Sequence, residues 1–186
     1  MEEIIHYTDP QSRALRTQSL LDLYQIPHRK VLVELRKGAH KEPGYAKIHP
    51  YRRVPALQHG ELIIVESGAI TLYLADLFAD KMHTPAVNTP ERARLYEWVF
   101  FLQSTLEPIV MEAFDPAKKE ASKLKIRELL EAMATRFKGP FVLGAQFTVL
   151  DVILSTELGW YKMMDLMPDL EPYTNFVKEC QTAVRA

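Results

Sequence analysis

Before about residue 80 the chain alternates strand-like and helix-like stretches, whereas after it every apolar pattern keeps helical spacing, and this change limits the possible folds more than any other feature. Glu3 to Tyr7 reads as a first strand, ended by the turn signal Asp9-Pro10. From Ser12 the positions Leu15, Ser19, Leu20 and Leu23 suit an amphipathic helix that Ile26-Pro27 closes. Arg29 to Leu35 alternates Val31, Val33 and Leu35 with charged residues, a second strand. Strand, helix and strand within about thirty residues form a βαβ unit with parallel strands. Gly38, Pro43, Gly44 and Pro50 break the next segment, so at most one short, irregular helix is expected there. A hairpin over Pro55 to Val65 and a helix from Ser67 to about Ala79 complete the order βαβ-ββα.

Residues 80 to 90 carry two prolines and little periodicity and read as a linker. Thr89 can cap a helix with Pro90 at its first position, and Leu95, Trp98, Val99, Leu102 and Leu106 share one face. Pro108 is expected to kink or end it. Asp115-Pro116 repeats the start signal, Ile126, Leu129, Leu130, Met133 and Phe137 keep helical spacing, and Gly139-Pro140 stops it. Thr148 with Asp151 makes a capping-box-like pair, across which Phe147 can staple onto Val152. A last helix runs from about Glu171 to Val184. The expected architecture is α+β: a mixed domain over residues 1–80, then an all-α domain over 88–186.

Composition narrows the partners. With 23 Lys and Arg against 24 Asp and Glu, the net charge of −1 gives no electrostatic reason to expect nucleic acid or an anionic membrane. One cysteine, Cys180, excludes an internal disulfide framework and a CxxC pair, which fits a reducing cytoplasm. No apolar run is long enough to span a bilayer, and no basic-then-apolar leader opens the chain. No phosphate-cradling glycine loop, HExxH or Cys/His cluster is present, so no metal is expected. A small-molecule partner in the cytoplasm remains.

That partner is described by the stretch His49 to Ile70, HPYRRVPALQHGELIIVESGAI. An X-Pro bond costs only about 0.5 to 1 kcal/mol to hold cis. A cis Val54-Pro55 turns the Val54 N–H and C=O outward, where an extended peptide can pair with them. If Ser67 caps the helix that follows, its hydroxyl and the first free N–H groups make an anion site at the positive end of the helix dipole. Glu66 can meet a cation. The α-amino-acid end of a small peptide carries both charges.

These residues, V-P-A-L followed by G-x-L-x-I-x-E-S-x-A-I-x-x-Y-L, resemble the glutathione site of the cytosolic glutathione transferases over about twenty positions. The resemblance implies a thioredoxin-like N-terminal domain followed by a helical one. It implies that Val54 and Pro55 pair with the cysteinyl backbone of glutathione while Glu66 and Ser67 hold its γ-glutamyl end. KGAHKEPGYAKIHP is similar to a segment of the plant-type serine transferases in which His and Lys lie near the glycyl carboxylate, here His40 and Lys41, and Arg53 stands where that branch places a ligand-bonding side chain. The family often has glycine where this chain has Arg52.

Glutathione placed this way sets its sulfur near the loop after the first strand. A free thiol has a pKa of about 8.5, and a hydroxyl donated to sulfur at a helix N-terminus lowers it. Serine-type members carry their activating serine just after a Pro-x, which is Ser12; another branch uses a tyrosine at the end of the first strand, which is Tyr7. The resemblance further implies a homodimer, with Gln103 and Ser104 near the partner, and an open site for a small hydrophobic electrophile between the domains, with Trp98, Phe101 and Met111 as candidate walls. Two classes stand: a transferase that activates the glutathione thiol, and a non-catalytic binding or regulatory protein of the same fold. A thiol-disulfide oxidoreductase would need a reactive cysteine near the first helix, and none is there.

Overall fold

The computed structural model describes residues 2–185, which divide into two compact units, one ending at Phe78 and the other beginning at Ala79. The first contains β1 (Ile4–Thr8), α1 (Ala14–Leu23), β2 (Arg29–Leu32), β3 (Ala56–His59), β4 (Leu62–Val65) and α2 (Ser67–Leu77). Its four strands form one sheet in the order β2-β1-β3-β4. β1 runs parallel to β2, Tyr7 opposite Val31, and antiparallel to β3, Tyr7 opposite Ala56; β3 and β4 are antiparallel, Ala56 opposite Val65. Gly60 makes the two-residue turn of that hairpin with φ 60°, a conformation that costs glycine nothing. This is the βαβ-ββα order of a thioredoxin-like domain, followed by helices alone.

The strand pattern of β2 runs three residues past its pairing. Val33 N–H still donates to Thr8 C=O at 2.8 Å, but Leu35 N–H turns to the Asp9 carboxylate at 3.1 Å and the chain leaves the sheet. Between β2 and β3 lie three 3-10 turns, Leu35–Lys37, Ala39–Lys41 and Tyr45–Lys47, where at most one irregular helix was expected. Gly38, at φ 79°, separates the first two, and Pro43 and Gly44 separate the others.

The face that α1 buries also differs from the apolar pattern. Ala14, Arg16, Thr17, Gln18, Leu20 and Leu21 turn inward, and Leu15 is 38% exposed. Polar partners cause this. His6 of β1 is fully buried, with Nδ1 2.9 Å from Gln18 Oε1 and Nε2 2.7 Å from Thr17 Oγ1. Gln18 Nε2 donates onward to Asp22 Oδ1 and to His28 Nε2, at 2.7 and 3.0 Å. A buried imidazole fully supplied with partners replaces part of the apolar seam.

The second unit contains α3 (Pro90–Phe100), a π-helical turn Phe101–Leu106, α4 (Glu107–Glu112), α5 (Lys119–Ala134), α6 (Val149–Met163) and α7 (Glu171–Arg185). Thr89 Oγ1 accepts from Arg92 N–H at 3.2 Å and caps α3 over Pro90. Pro108 does not end that run. It sits in the first turn of α4, and the wide turn just before it takes up the missing donor. Residues 80 to 89 are turns and irregular chain grouped with this unit, where Met82 is fully buried and accepts from Val149 N–H at 3.1 Å. Phe137 packs among Trp98, Tyr173 and Phe176, with ring centroids 5.4 to 5.7 Å apart. No helix among the described residues is long and apolar enough to cross a membrane.

Candidate functional site

Strand direction brings four segments to one end of the sheet. β1 and β2 finish there, β3 begins there and β4 finishes there, so residues 9–13, 33–35, 53–55 and 66–67 converge. Ala14, Val33 and Val54 pack together beneath them, with Tyr7, Leu35, Ala39 and Tyr45 against that cluster.

Val54-Pro55 is cis. Val54 precedes the first paired residue of β3, and no backbone hydrogen bond among the described residues uses its N–H or C=O. Those two groups are available to an extended ligand strand. Arg52, two residues earlier, holds φ 54°, the left-handed region that glycine favours, and donates its N–H to His49 C=O at 2.8 Å. Arg53 is exposed; its carbonyl, not its guanidinium, is held, accepting from Tyr45 O–H at 2.7 Å.

Glu66 and Ser67 exchange the positions expected of them. Ser67 does not cap α2: it is the first helical residue, buried, and its Oγ accepts from Arg16 Nη1 at 3.3 Å. Glu66 occupies the cap position at φ 71°, ψ 118°, with its side chain exposed and making no cap bond. The start of α2 is therefore without a side-chain cap, beside the buried Arg16 guanidinium. A cationic spot next to an exposed carboxylate fits a zwitterion. Arg16 escaped the sequence reading because an arginine inside a helical repeat reads as solvated; its only signal is its place three residues after Arg13, on the face that meets α2.

Asp9 shapes the first loop, accepting from Gln11 N–H at 2.9 Å and from Leu35 N–H at 3.1 Å. Ser12 Oγ donates to Asp9 C=O at 2.6 Å and accepts from Ala14 N–H at 3.1 Å, so its proton is engaged and Arg13 stands at the cap position of α1. Tyr7 donates its phenol to Gln58 Oε1 at 3.2 Å. Gln58 lies opposite Ile5, so the phenol leans back along β1, away from the loop that holds Ser12. Burial and the neighbouring Tyr7 push the Tyr45 phenol up to about 12.

His40 and Lys41 share the second 3-10 turn; Lys41 is exposed, and His40 Nδ1 is buried with no partner among the described residues. His49 was not singled out from the sequence, although it opens the turn that leads to Val54. It is 3% exposed, its Nδ1 is also without a partner, and burial lowers its pKa while Glu66 raises it and Arg53 lowers it. In the second unit Trp98 is core, edge-on to Phe101 at 5.8 Å, while Met111 is exposed. Among the described residues no His, Cys, Asp or Glu group is arranged to hold a metal ion.

Residues 3–76 match the family model described as the glutathione S-transferase N-terminal domain. Glutathione S-transferase 2 of Anopheles gambiae is 30% identical over 137 residues, 68% of this chain and 64% of that protein. Glutathione S-transferase theta-1 of Rattus norvegicus is 28% identical over 149 residues, 72% of this chain and 62% of its own. The match thus spans less than two thirds of the length of both relatives. BphK, a bacterial glutathione transferase solved in a ternary complex, is 27% identical with a TM-score of 0.78, over 97% of this chain and 98% of that one.

Proposed function

The chain belongs to the cytosolic glutathione S-transferase family, and on that premise we propose that it activates the thiol of glutathione for attack on a small hydrophobic electrophile. The observation that carries this reading is the pairing of an unused Val54 backbone before cis Pro55 with the uncapped, arginine-backed start of α2. In this reading Val54 N–H and C=O bond the cysteinyl backbone. The α2 N-terminus and Ser67 take the γ-glutamyl carboxylate, with Arg16 behind them, and Glu66 takes the ammonium. His40, Lys41 and Arg53 serve the glycyl carboxylate.

Ser12 is then the thiol activator. Its hydroxyl exchanges the neutral Asp9 carbonyl for a thiolate, trading an ordinary hydrogen bond of about 1 kcal/mol for a charge-assisted one roughly twice as strong. The Gln58 tie that holds the Tyr7 phenol supports this choice over Tyr7. Sulfur activation and proximity are the protein's contribution; the thiolate forms the bond to carbon and displaces a leaving group or adds across a double bond. The protein acts as a cytoplasmic homodimer in this reading.

The engaged Ser12 proton also favours a second reading, a non-catalytic glutathione-binding protein. Calorimetric titration with glutathione, followed by turnover of an aryl halide, separates the two. Heat with conjugation supports the transferase, heat without it supports the binding protein, and no heat at millimolar glutathione overturns both.

A further inference from the structure

The chain between Tyr45 and Val54 closes on itself. The Tyr45 C=O accepts from His49 N–H at 2.9 Å, the His49 C=O accepts from Arg52 N–H at 2.8 Å, and the Tyr45 phenol reaches forward to donate to the Arg53 C=O at 2.7 Å. The last of these bonds returns the loop to the residue where it began, and a side chain makes it.

Tyr45 is itself firmly seated. Its N–H donates to Glu42 C=O at 3.0 Å, and its C=O also accepts from Ile48 N–H at 2.9 Å. Its ring packs against the cluster of Ala14, Val33 and Val54 and meets Tyr7 edge-on, with centroids 6.1 Å apart. Burial, and after it Tyr7, push the phenol up to about 12, so the hydroxyl keeps its proton and stays a donor at neutral pH.

The phenol holds a peptide plane. Arg53 C=O and Val54 N–H belong to one peptide unit, and that unit is trans, because the cis bond among the described residues is the next one, Val54-Pro55. In a trans unit the carbonyl and the amide lie in one plane and point opposite ways. With the carbonyl turned to Tyr45, the Val54 N–H points away from it, and no backbone hydrogen bond among the described residues uses that N–H. Such a plane turns about ψ of Arg53 and φ of Val54. The Val54 side chain, 8% exposed and packed with Ala14 and Val33, fixes the residue that follows the plane, while the phenol fixes the plane itself.

We propose that Tyr45 is a positioning residue for the tripeptide: its phenol, by holding the Arg53 carbonyl, sets the direction of the Val54 N–H that meets the cysteinyl backbone. The inference rests on the role given to Val54 under the proposed function. A second effect adds to the first, because a carbonyl that accepts a hydrogen bond polarises its peptide unit and makes the N–H a better donor. Without the phenol the carbonyl is left to water and the plane rocks, so ordering it is charged to ligand binding. Activation of the sulfur stays with Ser12.

The test is Tyr45→Phe in the full chain, which removes the hydroxyl and keeps the ring against Tyr7 and Val54. Calorimetric titration with glutathione at pH 7 is expected to give a Kd about fivefold weaker than that of the native chain, equivalent to about 1 kcal/mol. NMR separates this role from a merely structural one. On addition of glutathione the Val54 amide proton is expected to move downfield in the native chain and markedly less in Tyr45→Phe. An unchanged Kd, or a weaker Kd with the full Val54 shift, overturns the proposal while glutathione binding stands. The native chain supplies a further check that needs no variant: the coupling between the Val54 amide and α protons, which reports φ, is expected to be the same with and without glutathione, and a change on binding overturns the proposal. Absence of heat from the native chain at millimolar glutathione removes the reading of Val54 and this inference with it.

Discussion

Glu66 holds φ 71° and ψ 118°, a conformation that costs a residue with a side chain about 1 to 3 kcal/mol. Its carboxylate makes no cap bond that would return this cost to the fold. Glu66→Gly is therefore expected to raise the stability of the first unit by about 1 kcal/mol, the relief of strain less the extra chain entropy of glycine, while glutathione affinity falls at least tenfold. Chemical denaturation and calorimetry on the same variant check both halves. Ser12 yields the complementary case. Removing its hydroxyl in Ser12→Ala is expected to raise the pKa of bound glutathione and to slow conjugation at least tenfold, about 1.4 kcal/mol of transition-state stabilisation, with little change in glutathione affinity. The thiolate absorbance of the complex against pH reads the first effect; an unchanged titration and rate would shift the role to Tyr7 or Thr8.

At the scale of elements, α6 and α1 teach opposite lessons. The Thr148 and Asp151 pair that the sequence marks as a helix start is realised in full: Asp151 accepts from Thr148 N–H at 2.7 Å, Thr148 O–H at 2.8 Å and Val142 N–H at 2.9 Å. Phe147 packs edge-on against Phe141 at 5.4 Å. Burial raises the Asp151 pKa despite these donors; what identifies the carboxylate as a strut is that it is fully buried with its oxygens bonded to the helix start and to Val142. Asp151→Ala leaves three buried donors unpaired and is expected to cost the second unit about 3 kcal/mol or more, measurable by denaturation, without touching the residues proposed to hold glutathione. In α1 the local pattern misleads. Spacing alone puts Leu15 inside, whereas His6 and Ser67, distant in sequence, recruit Thr17, Gln18 and Arg16 and leave Leu15 at the surface.

Across the whole molecule, each unit carries a buried titratable group that reports on it. Burial depresses the pKa of His6 from 6.5 to about 4, against the bond that the ring donates to Gln18 Oε1, with His28 and Lys30 lowering it further and Asp22 raising it. The folded chain thus binds this proton less readily than the unfolded one. The contribution of His6 is intact above pH 6.5 and is lost as the pH falls towards 4, a total of about 3 kcal/mol. Amide exchange in β1 and α1 is expected to accelerate between pH 7 and pH 4.5 beyond the intrinsic pH effect; unchanged protection would count against this network. Cys180 reports on the other unit. It is 4% exposed, and burial pushes its thiol well above the usual range, so it is expected to stay unlabelled by thiol reagents until the second unit unfolds.

What the chain's own order of residues determined is whatever depends on neighbours in sequence. The alternation of strands and helices before residue 80, the helices after it, the Thr89-Pro90 and Thr148-Asp151 starts, the Val54-Pro55 loop and the Glu66-Ser67 turn are set by backbone preferences and short-range capping that a few adjacent residues decide. The tertiary structure decided the rest. That Ser67 is held by Arg16 and leaves the cap position to Glu66, that the Tyr7 phenol is tied to Gln58 and that α1 buries a polar face all depend on partners far away in the chain. A buried polar group is stable only with the partner that satisfies it, and folding, not sequence spacing, chooses that partner.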